Sequence, residues 1–249
     1  MLEELTKPVI FAHRGSSAHA PENTLAAFHL AIEQGADAVE LDAKLSADGE
    51  VVVIHDATVD RTTNRKGPVH SFTTEEFNQM DAGSFFSDAY RGEPVPMLEQ
   101  VFAEVGKKIF INVELTNYAS PQDALPEKVA KLVKAQHLEE WVLFSSFYPF
   151  NLSRIKKLLP ECPVAILALE GSKGWLTRSF AGRYYAPEIM HPNLADTTKS
   201  LIEREHKRRR RVHPWTVNDP NDLKRLFEWG IDGVFTDDPI LARRIREQG

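Results

Sequence analysis

Short segments rich in apolar residues recur along almost the whole chain. Most of them contain β-branched residues and do not alternate strictly between polar and apolar positions, which is typical of strands buried on both faces. We predict strands at 8–13, 37–43, 109–115, 141–147, 163–169, 187–191, 211–217 and 232–236.

Amphipathic stretches with helical spacing separate these strands. They cover 23–34, 97–105, 122–136, 149–159, 197–208 and 219–229, and a further one follows the last strand at 239–248. The connection 170–186 is less regular and is predicted to contain one short helix. About eight strand–helix units in succession indicate a parallel α/β fold.

Chemically useful side chains stand at the end of nearly every predicted strand. They are His13, Arg14, Glu40, Asp42, Glu114, Phe147, His191 and Trp215. An open sheet brings together only the strand ends beside its switch point, whereas a closed barrel gathers all of them at one mouth. We therefore predict an α/β protein with a (β/α)8 TIM barrel.

One stretch interrupts the repeat. In LSADGEVVVIHD, Asp48-Gly49 lies between two extended runs, which is a hairpin signal. Residues 51–55 are therefore predicted to fold back beside strand two, outside the barrel. The next residues, about 56–96, lack the strand–helix repeat and are predicted to form a small insertion over the mouth. The whole chain, 1–249, is expected to form a single domain.

Composition narrows the class of protein. The chain has 249 residues, and its net charge of −6 argues against a general nucleic-acid or anionic membrane surface. Cys162 is the only cysteine, which favours a reducing compartment. The N-terminus is acidic where a signal peptide would be basic, and no segment reaches the ~18–20 apolar residues of a membrane span. We expect a cytoplasmic protein without stable membrane insertion.

The one basic cluster lies within 203–213. Cations are favourable at a helix C-terminus, and this cluster runs directly into a predicted strand. It also lacks the interleaved aromatic residues of a single-strand binding platform. We therefore expect no nucleic-acid partner.

Three carboxylates converge on the predicted mouth. Glu40 and Asp42 share one face of strand two, and Glu114 ends the next barrel strand, with Asn112 before it on the same face. Buried carboxylates repel one another and lose hydration, so they need a compensating charge. A network of Lys or Arg would provide one, but three converging oxygen ligands favour a hard divalent cation.

Two histidines have comparable settings, each after an apolar strand and beside a charged residue. His13 precedes Arg14, and His55 precedes Asp56. Imidazole suits proton transfer near neutral pH, a guanidinium binds phosphate oxygens, and Gly15 would let a substrate approach the backbone. With a metal between the histidines, the set indicates metal-assisted phosphoryl transfer.

Other residues near the strand ends allow two interpretations. Glu22 lies just before a predicted helix and is either a cap or a site residue. Phe147 and Trp215 are by default packing residues. Residues 237–239 (Asp-Asp-Pro) are predicted to start the last helix, and His191 is left without a role.

Five motifs occur in a characteristic order: AHRG, PENT, VELDAKLSADGEVVVIHD, NVEL and WTVND. With them the chain resembles the glycerophosphodiester phosphodiesterase family, from about Val9 to Pro239. The resemblance implies a (β/α)8 barrel with a small insertion after strand two. It also implies hydrolysis of a glycerophosphodiester, such as glycerophosphocholine, to glycerol 3-phosphate and an alcohol.

The resemblance further implies roles for individual residues. His13 and His55 would act as general acid and base, and Arg14 would contact the phosphate. Phe147 and Trp215 would line the glycerol end. The ligands of one divalent cation, Ca²⁺ or Mg²⁺, would be Glu40, Asp42 and Glu114.

One position departs from the family pattern. Many members carry Glu-x-Lys on strand three, with the lysine toward the phosphate, whereas this chain has Thr116 in ELTNY. A neutral hydroxyl there leaves phosphate affinity and substrate preference open. Lys44, which shares a face with Asp42, is a candidate replacement cation.

The resulting hypothesis places a phosphate oxygen and the glycerol hydroxyl beside the ester on the metal. One histidine would remove the hydroxyl proton and the other would protonate the leaving alcohol, through a cyclic phosphate that water opens. Direct attack by water is the competing path, and which histidine is the base stays open. Two other functions are considered: a phospholipase D-like activity on lysophospholipids, with an apolar path from 72–86, and non-catalytic phosphodiester binding.

Overall fold

The computed structural model describes residues 2–248, with the side chain of Phe180 excepted. In this part of the chain the strands are β1 (Val9–Ala12), β2 (Ala38–Leu45), β3 (Val51–Val53), β4 (Phe110–Leu115), β5 (Val142–Ser146), β6 (Val164–Ala168), β7 (Ile189–Pro192), β8 (Arg211–Val212) and β9 (Gly233–Thr236). Eight of them form one sheet in the order β8-β7-β6-β5-β4-β2-β1-β9, and every paired neighbour in that order is parallel.

Helices follow the strands as predicted. They are α1 (Leu25–Glu33), α2 (Thr74–Asn78), α3 (Leu98–Val105), α4 (Leu125–Gln136), α5 (Pro149–Leu158), α6 (Phe180–Tyr185), α7 (Lys199–Lys207), α8 (Pro220–Glu228) and α9 (Pro239–Gln248). Several begin at a residue whose side-chain oxygen accepts a backbone N–H of the first turn, such as Thr24, Thr198 and Asp219. Within residues 2–248, no helix is both long and apolar enough to cross a lipid bilayer.

Two backbone hydrogen bonds bring the ends of the sheet together. Phe235 N of β9 donates to Pro214 O (3.0 Å), and Val217 N donates to Phe235 O (2.8 Å). These bonds join the chain after β8 to β9, so the eight parallel strands surround a common interior. The predicted (β/α)8 barrel is confirmed.

The seventh predicted strand, 211–217, is only partly correct, because the observed strand β8 ends at Val212. Pro214 has no backbone N–H and cannot continue a ladder of hydrogen bonds. The chain beyond it stays extended and bonds singly to its neighbours: Trp215 N donates to Pro192 O at 3.0 Å.

Side chains of the barrel strands pack on two sides. In β1, Ile10 and Ala12 face the helices, whereas Val9 and Phe11 face the barrel interior. The interior cluster fills the barrel below its carboxyl end with apolar residues, including Phe110, Leu143, Ala165, Ile189 and Phe235. This packing leaves room for a site only toward the mouth, where the strands end.

The hairpin after strand two lies where the sequence placed it. Strand β3 pairs antiparallel with β2, with Ala43 opposite Val53, and Gly49 in the turn has a φ of +77°. The segment that follows packs around its own small core, which includes Phe77, while Phe85 is largely exposed. The predicted insertion after strand two is therefore confirmed, and only part of its aromatic content forms its core.

The basic cluster at the end of α7 includes a buried ion pair. Glu205 is fully buried, and its carboxylate is approached by Arg204 (2.9 Å), Arg208 (3.2 Å) and the buried Arg210 (3.5 Å). Three cations of the cluster therefore surround one internal carboxylate.

Candidate active site

A small pocket of about 70 Å³ opens at the carboxyl end of the barrel. Its lining residues are His13, Arg14, Glu40, His55, Asn112, Glu114, Ser145, Phe147, Leu167, His191, Trp215 and Phe235. Seven of the eight predicted site residues are among them. The eighth, Asp42, lies directly beside the pocket with Glu40 and Glu114.

The three carboxylates form one compact cluster because of strand register. Asp42 of β2 pairs with Glu114 of β4, and Glu40 lies two residues earlier on the same face as Asp42. One oxygen from each residue lies within 4.8 Å of the other two. Oxygens so placed can all reach one hard cation at the usual ligand distances of about 2.0–2.6 Å.

Charge repulsion within the cluster is large in the absence of a cation. Burial raises the pKa of Glu40 well above its ordinary value, and Asp42 and Glu114 raise it further. Burial, with Asp42 next, raises the pKa of Glu114 to about 8. Among residues 2–248, Arg14 alone pairs with the cluster, its Nε 3.4 Å from Asp42 Oδ2. A single guanidinium does not neutralise three carboxylates, so the cluster fits a divalent cation better than a salt-bridge network.

Hydrogen bonds hold these carboxylates in place from outside. Asn23 Nδ2 donates to Asp42 Oδ2 at 2.9 Å, and the backbone N–H of Arg14 donates to Glu40 Oε2 at 2.8 Å. The hydroxyl of Tyr118 donates to Glu114 Oε1 at 2.8 Å. Each carboxylate therefore has a donor that fixes one oxygen, which is the support that ligands of a metal usually have.

Both predicted histidines are paired with a carboxylate. His13 Nδ1 lies 2.7 Å from Asp237 Oδ1, and His55 Nδ1 lies 2.7 Å from Asp56 Oδ1. A carboxylate at Nδ1 holds the proton on that nitrogen and leaves Nε2 for a substrate. The two rings line the same pocket, so the pair can serve opposite sides of a bound group.

The partner carboxylates stay ionised for different reasons. The hydrogen bond from Arg61 is the main cause that lowers the pKa of Asp56, with His55 adding to it. For Asp237, burial acts to raise the pKa, but hydrogen bonds from His13, Asn218 and Ser17 outweigh it and leave the pKa lowered.

Glu22 does not cap α1, because the side chain that does so is that of Thr24. The Glu22 carboxylate accepts from Arg14 Nη1 at 2.9 Å and from both terminal nitrogens of Arg61, at 2.6 and 2.8 Å. Glu22 thus connects the loop after β1 with the inserted segment.

Gly15 has a structural role in the loop after β1, and its role in substrate approach stays a prediction. Its φ is +81°, and a Cβ there would lie 2.7 Å from the backbone carbon of Ala27 in α1. Glycine lets the loop after β1 turn sharply and pack directly on the helix, which sets the direction of Arg14.

The two predicted aromatic residues form one wall of the pocket. The rings of Phe147 and Trp215 meet edge to face with centroids 5.5 Å apart, and Tyr118 packs on the other side of Phe147. Trp215 Nε1 donates to His191 O at 2.9 Å, which fixes the indole against β7.

Lys44 lies beside Thr116, as the shared face of their strands allows. Its Nζ donates to Thr116 Oγ1 at 2.7 Å and to Thr116 O at 3.2 Å, while Thr116 Oγ1 donates to Ala43 O at 2.7 Å. Burial lowers the pKa of Lys44, although Asp42 and Glu114 act in the opposite direction. The Lys44 ammonium group thus lies next to the Thr116 side chain, at the position where many family members carry a lysine.

Sequence reasoning missed several partners of the site. Residues 237–239 start α9 as predicted, with Asp238 accepting from Leu241 N, but the contact of Asp237 with His13 was not predicted. A signal was present, since Asp237 directly follows β9 as His13 directly follows β1. For Arg61, no local pattern distinguishes it from other charged residues of the insertion.

The sequence of this chain is similar to those of known proteins over nearly its whole length. The model of the "Glycerophosphoryl diester phosphodiesterase family" matches residues 13–241. A glycerophosphodiester phosphodiesterase of Caldanaerobacter subterraneus subsp. tengcongensis is 39% identical, over 98% of this chain and 100% of that relative. Another from Bacillus altitudinis is 36% identical, over 96% of this chain and 98% of its own length.

Solved structures share the fold over nearly the whole length. A glycerophosphodiester phosphodiesterase of Agrobacterium tumefaciens superposes with a TM-score of 0.82 at 31% identity, covering 95% of this chain and 99% of the other. An Oleispira antarctica phosphodiesterase, solved with the product sn-glycerol-3-phosphate, gives 0.86 at 30% identity, covering 96% and 97%. By its barrel, its motifs and these matches, the chain belongs to the glycerophosphoryl diester phosphodiesterase family, a family of enzymes.

Proposed function

We propose that the protein hydrolyses glycerophosphodiesters, such as glycerophosphocholine, to sn-glycerol 3-phosphate and an alcohol. The observation that carries this proposal is the pairing of each histidine with a carboxylate at 2.7 Å, on one pocket beside the three-carboxylate cluster. General acid–base chemistry on a phosphate diester needs one group that accepts a proton and another that gives one. A protein that only binds a diester has no use for such pairs.

The cluster of Glu40, Asp42 and Glu114 would hold one divalent cation, Ca²⁺ or Mg²⁺. When bound, such an ion neutralises phosphate charge and lowers the pKa of a nearby hydroxyl. Tyr118 and Asn23 would keep the Glu114 and Asp42 carboxylates oriented toward it.

The proton transfers belong to His13 and His55. One imidazole, at Nε2, takes the proton from the attacking hydroxyl, and the other delivers a proton to the oxygen of the departing alcohol. The attacking group is the glycerol hydroxyl beside the ester, which forms a cyclic phosphate that water opens, or water itself. Asp237 and Asp56 hold the two rings and stabilise each imidazolium as it forms.

Phosphate binding is assigned to cations at the rim. Arg14 lines the pocket, and its buried Nε lies 3.4 Å from Asp42 Oδ2 but donates no hydrogen bond within residues 2–248, so we assign its N–H to a phosphate oxygen. Lys44, held by Thr116, supplies a second positive charge in place of a lysine at position 116.

A lysophospholipid is the second candidate substrate class, because several apolar side chains are exposed at the start of α5 and in the connection after β6. They are Phe150, Leu169, Trp175 and Leu176. Apolar surface beside a pocket mouth suits an acyl chain. Phe85 and Phe86 of the insertion are also partly exposed.

The proposed compartment is the cytoplasm. This proposal rests on Cys162, the single cysteine of the chain, which is buried and forms no disulfide bond. Proteins of oxidising compartments more often carry paired cysteines.

The test is release of glycerol 3-phosphate from glycerophosphocholine by purified protein, with chelator and then with Mg²⁺, Ca²⁺ or Mn²⁺ restored. We expect metal-dependent release, and a loss of at least about 100-fold in kcat for His13→Ala and for His55→Ala with unchanged thermal stability. His29→Ala, on the outer face of α1, is the control. Near-wild-type turnover in either site variant contradicts the mechanism, and release of choline from lysophosphatidylcholine alone favours the second substrate class.

A further inference from the structure

The pair of His13 and Asp237 is held from outside by a residue that the proposed proton transfers do not use. Asn218 follows β8 in the chain, where Val217 N donates to Phe235 O at 2.8 Å and brings this segment beside the end of β9. Its side-chain Nδ2 donates to Asp237 Oδ2 at 2.6 Å. His13 Nδ1 lies 2.7 Å from Oδ1, the other oxygen of the same carboxylate. Asn218 and His13 therefore hold opposite oxygens of Asp237.

Two further hydrogen bonds fix the orientation of the Asn218 amide. Its Oδ1 accepts from the backbone N–H of Asp237 at 2.9 Å and from the hydroxyl of Thr236 at 3.1 Å. The flipped amide would set its NH2 group against the Asp237 N–H and its oxygen against a carboxylate. The amide nitrogen must therefore face Asp237 Oδ2, and one side chain bonds both the backbone and the carboxylate of Asp237.

The structural roles open at this position belong to a neighbour. The side chain that caps α8 is that of Asp219, which accepts two backbone N–H groups of the first turn. Asn218 itself is exposed, so its substitution removes no side chain from the core. Loss of the Asn218 amide therefore changes the support of Asp237 directly, without uncapping the helix or opening a cavity.

A donor on the far oxygen matters because an aspartate carboxylate turns easily about its last torsion. The bond from Asn218 to Oδ2 keeps Oδ1 toward His13. The second histidine of the site has an equivalent arrangement, since Arg61 Nε donates to Asp56 Oδ2 at 2.8 Å while Asp56 Oδ1 pairs with His55. Each histidine thus has a carboxylate, and each carboxylate has its own donor on the oxygen that faces away from the ring.

We propose that Asn218 is a positioning residue for proton transfer by His13. By holding Asp237 with Oδ1 toward the ring, it keeps the His13 proton on Nδ1 and leaves Nε2 for the substrate. This inference rests on the proposed function and adds a residue of the loop after β8 to it. Asn218 contacts neither the substrate nor the cation in this scheme, so its effect belongs in kcat and not in KM.

Asn218→Ala tests this role in the reaction with glycerophosphocholine. We expect kcat to fall about 5- to 20-fold, because a hydrogen bond to a charged group is lost, while KM stays within about twofold. Asn218→Asp keeps the oxygen that accepts from residues 236 and 237 and loses only the donor, and it should lower kcat at least as much, because two carboxylates then repel. Asn221→Ala, exposed at the start of α8, is the matched control and should keep wild-type kcat.

A double-mutant cycle separates positioning from a general disturbance of the loop. If Asn218 acts through Asp237, Asn218→Ala should change kcat by less than about twofold when it is added to Asp237→Ala. A contribution to the loop alone would give the same fold loss in both backgrounds. Melting temperatures of the three variants show that each compared protein is folded.

The ¹⁵N spectrum of the imidazole nitrogens gives a readout that does not depend on turnover. The His13 signals are identified by their absence in His13→Ala. At pH 8 we expect the wild type to carry the proton on Nδ1, and Asn218→Ala to show a mixture of the two tautomers.

The outcomes separate the two proposals. Wild-type kcat in Asn218→Ala, or equal losses in the two backgrounds of the cycle, overturns the positioning role and leaves the phosphodiesterase in place. If the wild type hydrolyses no glycerophosphodiester, the proposed function fails and the spectrum decides whether Asn218 positions His13. A mixture of tautomers in Asn218→Ala only supports that role, and a single tautomer in both proteins overturns it.

Discussion

At the scale of single residues, His13 and His55 each contact one carboxylate, but their rings differ in solvent exposure. The His13 ring and its partner Asp237 are half-buried at the junction of β1 and β9, whereas the His55 ring is exposed and its partner Asp56 belongs to the inserted segment. In each pair the carboxylate fixes which ring nitrogen carries the proton. Changing that carboxylate therefore tests catalysis without touching the histidine itself.

Asp237→Asn is expected to lower kcat at least about tenfold, because the amide neither stabilises an imidazolium nor holds the same tautomer of His13. Steady-state kinetics with glycerophosphocholine measure the effect. Asp238→Asn, one residue on, keeps the cap of α9 and should stay within about twofold of wild type. An equal loss in the two variants would indicate a general disturbance of the loop after β9.

Glu114→Gln tests the repulsion within the carboxylate cluster, and the sign of its effect depends on the metal. In chelator at pH 9, above the raised pKa of Glu114, the variant should have a higher melting temperature than the wild type, because one charge of the cluster is removed while the oxygen that accepts from Tyr118 is kept. With added Mg²⁺ or Ca²⁺, the wild type should gain stability and the variant should gain little. Glu104→Gln, exposed on α3, is the control, and a metal-induced shift of equal size in Glu114→Gln contradicts the assignment.

At the scale of elements, the inserted segment also positions side chains of the candidate active site. Arg61 bonds Glu22 of the loop after β1 with two nitrogens, and it bonds Asp56 through Nε at 2.8 Å. Through these contacts one side chain joins the inserted segment to both Arg14 and His55. The orientation of His55 thus depends on an element outside the barrel.

Arg61→Gln should lower kcat about 10- to 100-fold while the barrel stays folded, because Asp56 loses the bond that fixes it against His55. Steady-state kinetics measure the loss of kcat, and circular dichroism measures whether the barrel stays folded. Arg65→Gln, exposed in the same segment, is the matched control and should have wild-type kinetics. Arg61→Lys should restore little, since an ammonium group cannot bond two carboxylates in the same fork.

The strands and helices could be predicted from the sequence more fully than the contacts between site residues. Apolar runs such as 109–115 specify a strand by themselves, and the i, i+2 spacing of Glu40 and Asp42 is enough to place both on one face. Asp237 and His13 are 224 residues apart, so their contact depends on closure of the barrel between β9 and β1. Asn112 Oδ1 has no hydrogen-bond partner within residues 2–248, and this too follows from what surrounds it in space, which no local pattern encodes.

At the scale of the whole molecule, two fully buried histidines couple stability to pH. Burial lowers the pKa of His213 to about 3, and burial with the neighbouring His213 and Arg210 lowers that of His191 as well. Both rings are thus neutral in the folded protein at pH values where the unfolded chain binds protons, below about 6.5.

The free energy of unfolding should therefore be highest above pH 6.5 and fall as pH decreases toward 3, by up to about 1.4 kcal/mol per pH unit for each such histidine. Urea unfolding at pH 7.5, 6.5, 5.5 and 4.5 measures this slope. His213→Leu should reduce this slope by the contribution of about one bound proton, ~1.4 kcal/mol per pH unit. His70→Gln, on the surface of the insertion, should leave the slope unchanged. A wild-type slope in His213→Leu would mean that other groups account for the acid sensitivity.

The apolar cluster that fills the barrel below the pocket has a kinetic consequence. A molecule seated at the floor leaves through the mouth by which it entered, past the carboxylates and both histidines. Under the proposed function, a product held beneath the other in the pocket would have to leave last. The order of product release would then follow from the shape of the barrel, and the last product would compete directly with the next substrate.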